Sequence, residues 1–140
     1  MEKQRIGNPD IEAVTSRIIA AAIEVHRTLG PGLLETIYEQ CLAQELVDAG
    51  LAVRRQVELP VSYKGRSLPG AYRLDVIVEE LVVVEIKSVE AVLAVHKAQV
   101  LTYLKLTGLK AGLLLNFNVS LLKDGIARLS LPASMLPRLL

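Results

Sequence analysis

The chain has 140 residues, 51% apolar and only 4% aromatic, enough for one domain with a core of Leu, Val, Ile and Ala and short for two. Lys and Arg total 16 against 15 Asp and Glu, a formal charge of +1, which excludes a global positive field for gathering nucleic acid or anionic membrane and leaves such contacts to a local patch. The single cysteine, Cys41, excludes an intramolecular disulfide and thiolate-cluster zinc or iron–sulfur sites. A charged start, Met1–Arg5, with no signal-type apolar segment behind it and no run near ~20 apolar residues, predicts a soluble cytoplasmic protein.

Asn8-Pro9-Asp10 predicts a helix start, with Asn8 as N-cap, Pro9 at the first helical position and Asp10 as first-turn acid. Ile11, Val14, Ile18, Ala22, Val25 and Leu29 then recur at helical spacing until Gly30-Pro31-Gly32 interrupts them. A second helix is predicted from about Leu33 to Ala49, its apolar stripe Leu34, Tyr38, Cys41, Leu42 and Leu46, with Gly50 as its stop. From Leu51 the pattern alternates, with Val53, Val57 and Val61 among charged neighbours and a turn at Lys64-Gly65. Tyr72–Val78 and Leu81–Lys87 are rich in β-branched residues and predict a hairpin, the Leu81–Val84 run reading as a central strand buried on both faces. A third helix over Val92–Leu106 ends at Gly108, a buried strand covers Ala111–Phe117, and Asp124-Gly125 turns into a last strand, Ile126–Leu131. The chain is therefore one domain, with a core over 8–131. The apolar tail 132–140, broken by Pro132 and Pro137, is expected to pack over the domain or to join copies into an oligomer.

The pattern richest in chemistry is Arg73-Leu74-Asp75 followed, across the hairpin, by Val84-Glu85-Ile86-Lys87. Glu85 and Lys87, two apart on a strand, share a face. A three-residue loop, Glu79 to Leu81, sets Val78 opposite Val82 and Asp75 opposite Glu85, with Cβ atoms about 5 Å apart; a two-residue loop shifts that pairing by one. Alternation favours the first register, since Leu74, Val76 and Val78 then form one face and Asp75 and Ile77 the other. Two carboxylates this close call for a cation, and an incomplete shell of hard oxygen ligands suits Mg²⁺ or Mn²⁺. Such an ion activates water toward a phosphodiester, and Lys87 stands where it would hold that water or the developing charge. A surface salt bridge is the ordinary explanation of an acid-x-lysine, but here three ionisable groups converge where an apolar strand ends, and unpaired charge there is costly.

Beyond this pattern the chain resembles a known family. Gly32-Leu33-Leu34-Glu35-Thr36-Ile37-Tyr38 matches a GxxExxY signature, followed in order by Asp75, Glu85-Ile86-Lys87 and Gln99-xxx-Tyr103. Val25 to Gly32, Leu115-Asn116-Phe117 and Leu122 to Gly125 also match. The chain is thus similar to the GxxExxY family of the PD-(D/E)xK nuclease superfamily from Ile11 to Leu131, with Leu74 where a proline often precedes the aspartate. The resemblance implies an α/β fold with a restriction-endonuclease-like core, a central mixed β-sheet flanked by helices. It implies metal ligands at Asp75 and Glu85, joined by Glu35 as an acid directed from the second helix, with the Ile86 carbonyl as a further candidate. Lys87 would be the catalytic lysine, and Gln99 and Tyr103 would match the QxxxY element that organises the site in RecB-type nucleases.

The expected activity is Mg²⁺-dependent (or Mn²⁺-dependent) hydrolysis of nucleic acid, DNA ahead of RNA. A noncatalytic binding module of the same fold, or an oligomeric regulator, is the alternative, because there is no recognition domain and no basic track. Arg54, Arg55, Lys64, Arg66 and Arg73 could form a phosphate-binding rim or be ordinary solvated charges. His26 and His96, without a third partner, make a poor zinc site and suit capping or core hydrogen bonds. Cys41, on the apolar stripe, is expected to be buried and structural.

Overall fold

Asp10, rather than Asn8, caps the first helix: its backbone is extended and its carboxylate accepts the Glu12 N–H at 2.9 Å, satisfying a donor that has no partner within the helix. The computed structural model describes residues 10–131, so Asn8, Pro9 and the apolar tail lie outside the described residues. Helix α1 spans Ile11–Leu29 and α2 spans Glu35–Asp48. Strands β1 (Val53–Tyr63), β2 (Arg66–Val78) and β3 (Val82–Lys87) follow, then α3 (Ala94–Thr107), β4 (Ala111–Asn116), a 3₁₀ turn at Leu122–Gly125 and β5 (Ile126–Ser130). No helix among the described residues is long and apolar enough to cross a membrane.

The five strands form one sheet in the order β1-β2-β3-β4-β5, parallel only between β3 and β4, which α3 connects. This is the α/β, restriction-endonuclease-like architecture expected from the sequence. Val82 to Ile86 are all buried, as a central strand covered on both faces must be. Val82, Val84 and Ile86 pack with Val14, Ile18, Ala22, Leu42 and Leu46 of α1 and α2, while Val83 packs with Tyr103 and Leu104 of α3. The apolar stripe of α2 differs from expectation at two positions. Leu34 is its exposed N-cap, and Cys41 is only partly buried against the core.

One prediction of the alternating pattern fails. Leu74 does not share a face with Val76 and Val78, which belong to the α1/α2 core, but joins Ile77, Leu59 and Tyr103 beneath α3. The pairs Arg55↔Val76 and Val57↔Leu74 flank the change, and Gln56 between them has φ 52°. A left-handed residue in a strand rotates the chain out of its pleat, so the outer β1–β2 arm turns its apolar side toward α3.

Loop geometry explains Gly32 and Tyr38. Gly32 has φ 94° with open space where a Cβ would stand, so its conformation rather than crowding requires glycine. Tyr38 is buried, its ring stacked on Phe117 with centroids 4.4 Å apart. Its hydroxyl donates to the Gly30 carbonyl and accepts the Leu33 N–H at 3.1 Å, clamping the loop that leads to Glu35. Tyr38→Phe keeps the ring and strands both backbone groups, so chemical denaturation should show a loss of about 1–2 kcal/mol; an unchanged midpoint would mean the hydroxyl does not hold the loop.

Candidate active site

The hairpin of β2 and β3 has the three-residue loop, with Glu79 and Glu80 both left-handed and the Leu81 N–H bonded to the Val78 carbonyl at 3.0 Å. The paired register runs from Val78↔Val82 to Val76↔Val84, and its next step sets Asp75 opposite Glu85. There side chains take over from the backbone ladder. Asp75 Oδ2 accepts the Ile86 N–H at 2.9 Å, and Glu85 Oε1 accepts the Asp75 N–H over a longer 3.4 Å. Lys87 Nζ stands 3.8 Å from Glu85 Oε2, its side chain 16% exposed. Asp75, Glu85 and Lys87 thus meet at one place on the sheet.

Burial dominates the electrostatics. It pushes the Glu85 carboxyl up to about 8, with the charge of Asp75 adding to the rise and Lys87 opposing it. Burial likewise raises Asp75, partly offset by the Ile86 N–H, with Glu39, Glu35 and Lys87 acting as charges around it. The Tyr103 hydroxyl is pushed upward by burial and then by Glu85 and Asp75. Two adjacent carboxyls that both resist ionisation are a site short of positive charge.

Glu35 opens α2 and is exposed; its Oε2 accepts the Ser88 N–H at 3.1 Å, and the Ser88 hydroxyl donates to the Leu33 carbonyl at 2.6 Å. These bonds fasten the start of α2 to the residue after Lys87. Among the described residues no three His, Cys, Asp or Glu side chains gather as a metal-ligand set, so Glu35 borders the Asp75–Glu85 pair without closing on it. Tyr103 is buried, edge-on to Tyr72 at 5.7 Å, and its hydroxyl donates to the Arg73 carbonyl at 3.4 Å. Gln99, one turn earlier on α3, is half-buried.

The sequence reading missed two buried residues here. Glu39 accepts Arg55 Nε at 3.1 Å and Gln56 Nε2 at 2.8 Å, tying α2 to β1 opposite Asp75. Its signal was its place on the stripe of Glu35, Leu42 and Leu46, four beyond the first and three before the second. Asn116, the polar end of an apolar strand, pairs with Lys87 in register. Its amide accepts the Val89 N–H and donates to the Val89 carbonyl, both at 3.0 Å, and so fixes the loop that leaves the site.

The proposed basic rim is largely committed elsewhere: Arg54 pairs with Glu80, Arg55 with Glu39 and Arg73 with Glu58. His26 is a core residue whose Nε2 bonds the Val119 carbonyl at 2.8 Å, and His96 Nδ1 accepts the Leu93 N–H at 3.0 Å at the start of α3.

The donor chemistry fits a hard divalent ion. Two carboxylates suffice for Mg²⁺, which retains several waters and is held through one or two acidic side chains. A family model for the PD-(D/E)XK nuclease superfamily matches residues 12–129 of the chain. No curated protein and no solved structure gives a significant match.

Proposed function

Because the chain belongs to the PD-(D/E)XK nuclease superfamily, we propose that it hydrolyses nucleic-acid phosphodiester bonds, DNA ahead of RNA, with water as the nucleophile and Mg²⁺ or Mn²⁺ as cofactor. The observation that carries this reading is the buried Asp75–Glu85 pair, whose carboxyls are both driven toward the protonated state by burial and whose charge a bound cation would balance. Asp75 and Glu85 would hold the ion, with Glu35 adding negative charge from its border position. When bound, such an ion acidifies a coordinated water and neutralises charge on a phosphoryl oxygen.

Lys87, beside Glu85, holds the attacking water or the charge that develops as it attacks. Glu39, already engaged by Arg55 and Gln56, orients rather than reacts. Tyr103 closes the floor beneath the carboxylates through its bond to the Arg73 carbonyl, and Gln99 stands one turn before it on the same helix face. The ordered residues Gly32, Glu35 and Tyr38 favour the GxxExxY branch of the superfamily, with Tyr38 clamping the loop that presents Glu35.

The test is incubation of the purified protein with single- and double-stranded DNA and RNA in Mg²⁺ or Mn²⁺. Metal-dependent cleavage is expected, and Lys87→Ala should lower its rate by about 10²–10⁴-fold. Cleavage undiminished in Lys87→Ala would dismiss this site as its source. A metal-induced thermal shift without cleavage of any of the four substrates would favour a binding module.

A further inference from the structure

His96 has a side that its capping role does not use. Because Nδ1 accepts the Leu93 N–H, Nδ1 carries no proton, and the neutral ring holds its hydrogen on Nε2 as a donor. Among the described residues no acceptor takes that hydrogen. His96 and Gln99 are half-buried while Val95, Lys97 and Ala98 beside them are exposed. Positions 96, 99 and 103 share a helix face, and Tyr103 on that face reaches the Arg73 carbonyl, two residues from Asp75.

The height of this face along the sheet follows from packing. A Cβ on Gly112 would meet Val100 at 2.8 Å and Leu104 at 3.6 Å, and Gly112 pairs with Val83, so the middle of α3 lies over Val83. Helix α3 joins two parallel strands and therefore runs opposite to both. One to two turns back along it, at about 5.4 Å per turn, correspond to about two to three residues forward along β3 at about 3.3 Å each. That brings His96 to the level of Glu85 and Ile86.

We propose that His96 is a substrate-binding residue, its Nε2–H donating to a phosphate oxygen adjacent to the scissile phosphodiester on a strand lying across the Asp75–Glu85–Lys87 site. The proposal rests on the nuclease reading of that site and adds to it a contact outside the reacting atoms. Ordinary surface capping accounts for Nδ1 but gives Nε2 no role.

His96→Gln and His96→Glu separate the two functions. Both keep an oxygen for the Leu93 N–H in the manner of a capping box; Gln retains a donor, whereas Glu sets a negative charge toward the phosphate. The measurements are melting temperature, KM and kcat on a fluorescent DNA oligonucleotide with Mn²⁺, and binding of the same oligonucleotide in EDTA. His96→Glu should raise KM and weaken EDTA binding about tenfold with kcat little changed, and His96→Gln should stay within about threefold of wild type. Wild-type binding and KM in His96→Glu would overturn the proposal, as would equal losses in both variants accompanied by lowered melting temperatures. If the wild type binds without cleaving, the hydrolytic reading falls while the EDTA arm still decides the His96 contact. If it neither binds nor cleaves, both fall.

Discussion

Glu85→Gln should stabilise the metal-free protein near pH 8 while abolishing both its response to Mn²⁺ and its cleavage of nucleic acid. The Glu85 carboxyl is raised from 4.5 to about 8 by burial, then by Asp75. A carboxyl whose folded pKa lies above its unfolded value binds a proton more tightly when folded. Its stabilising contribution is therefore full at low pH and disappears as pH rises through that interval, at a limiting slope of about 1.4 kcal/mol per pH unit. Asp75 is shifted in the same direction and steepens the decline. Glutamine preserves the volume and an oxygen for the Asp75 N–H, but it also leaves Lys87 with less opposing charge. The net gain at pH 8 should then be about 2 kcal/mol, vanishing toward pH 4.5, the unshifted value. Denaturant midpoints across pH in EDTA measure this directly. Adding Mn²⁺ should reverse the ranking, because ligand at a hundredfold excess over its dissociation constant stabilises the wild type by about 2.7 kcal/mol and the variant by far less. A variant less stable than wild type near pH 8 in EDTA would refute the account of a charge-starved pair.

Gly125→Ala should be severely damaging for a single added methyl, costing about 3–5 kcal/mol. A Cβ at this position would stand 2.1 Å from the Asn116 carbonyl oxygen and 3.1 Å from its carbon, and neither is a flexible side-chain end that can swing away. Asn116 carries more than packing. Its side chain fixes Val89, and the adjacent Phe117 N–H bonds the Lys87 carbonyl at 2.9 Å. The displaced backbone should therefore disturb Lys87 as well. Calorimetry and cleavage rate should fall together, whereas a melting temperature within about 2 °C of wild type would show that the 3₁₀ turn moves aside.

That glycine illustrates how the sequence was legible in kind and not in cause. Asp124-Gly125 marked a turn correctly, but the residue is required by an approach from β4, which no local pattern encodes. The helices and strands were legible because their apolar spacing is regular and most stops are Gly or Pro. The approach of Asp75 to Glu85 followed from the loop length, which held, and from an alternation that held from Val76 to Val78 and failed at Leu74. Leu74 was misplaced because alternation presumes an unbroken pleat, and nothing about a glutamine announces a left-handed conformation. Glu39 was passed over since its partners, Arg55 and Gln56, are 16 and 17 residues away; only its position on an apolar stripe hinted at burial. The arginines of the arm looked like a phosphate rim because their acidic partners come from other strands, turns and helices.

The left-handed Gln56 has a further effect, on how copies of the chain meet. Strand β1 lies at the border of the sheet and, at 11 residues, is long enough to recruit a foreign strand. The kink at Gln56 and the register shift between Leu59 and Val61 divide that border, and Pro60 between them has no N–H to offer. What remains are segments too short and too differently oriented to template aggregation, with Arg54, Arg55 and Glu58 set along them as charged spacers. The distortion that turns the arm toward α3 thus also guards the fold against polymerising through its own edge.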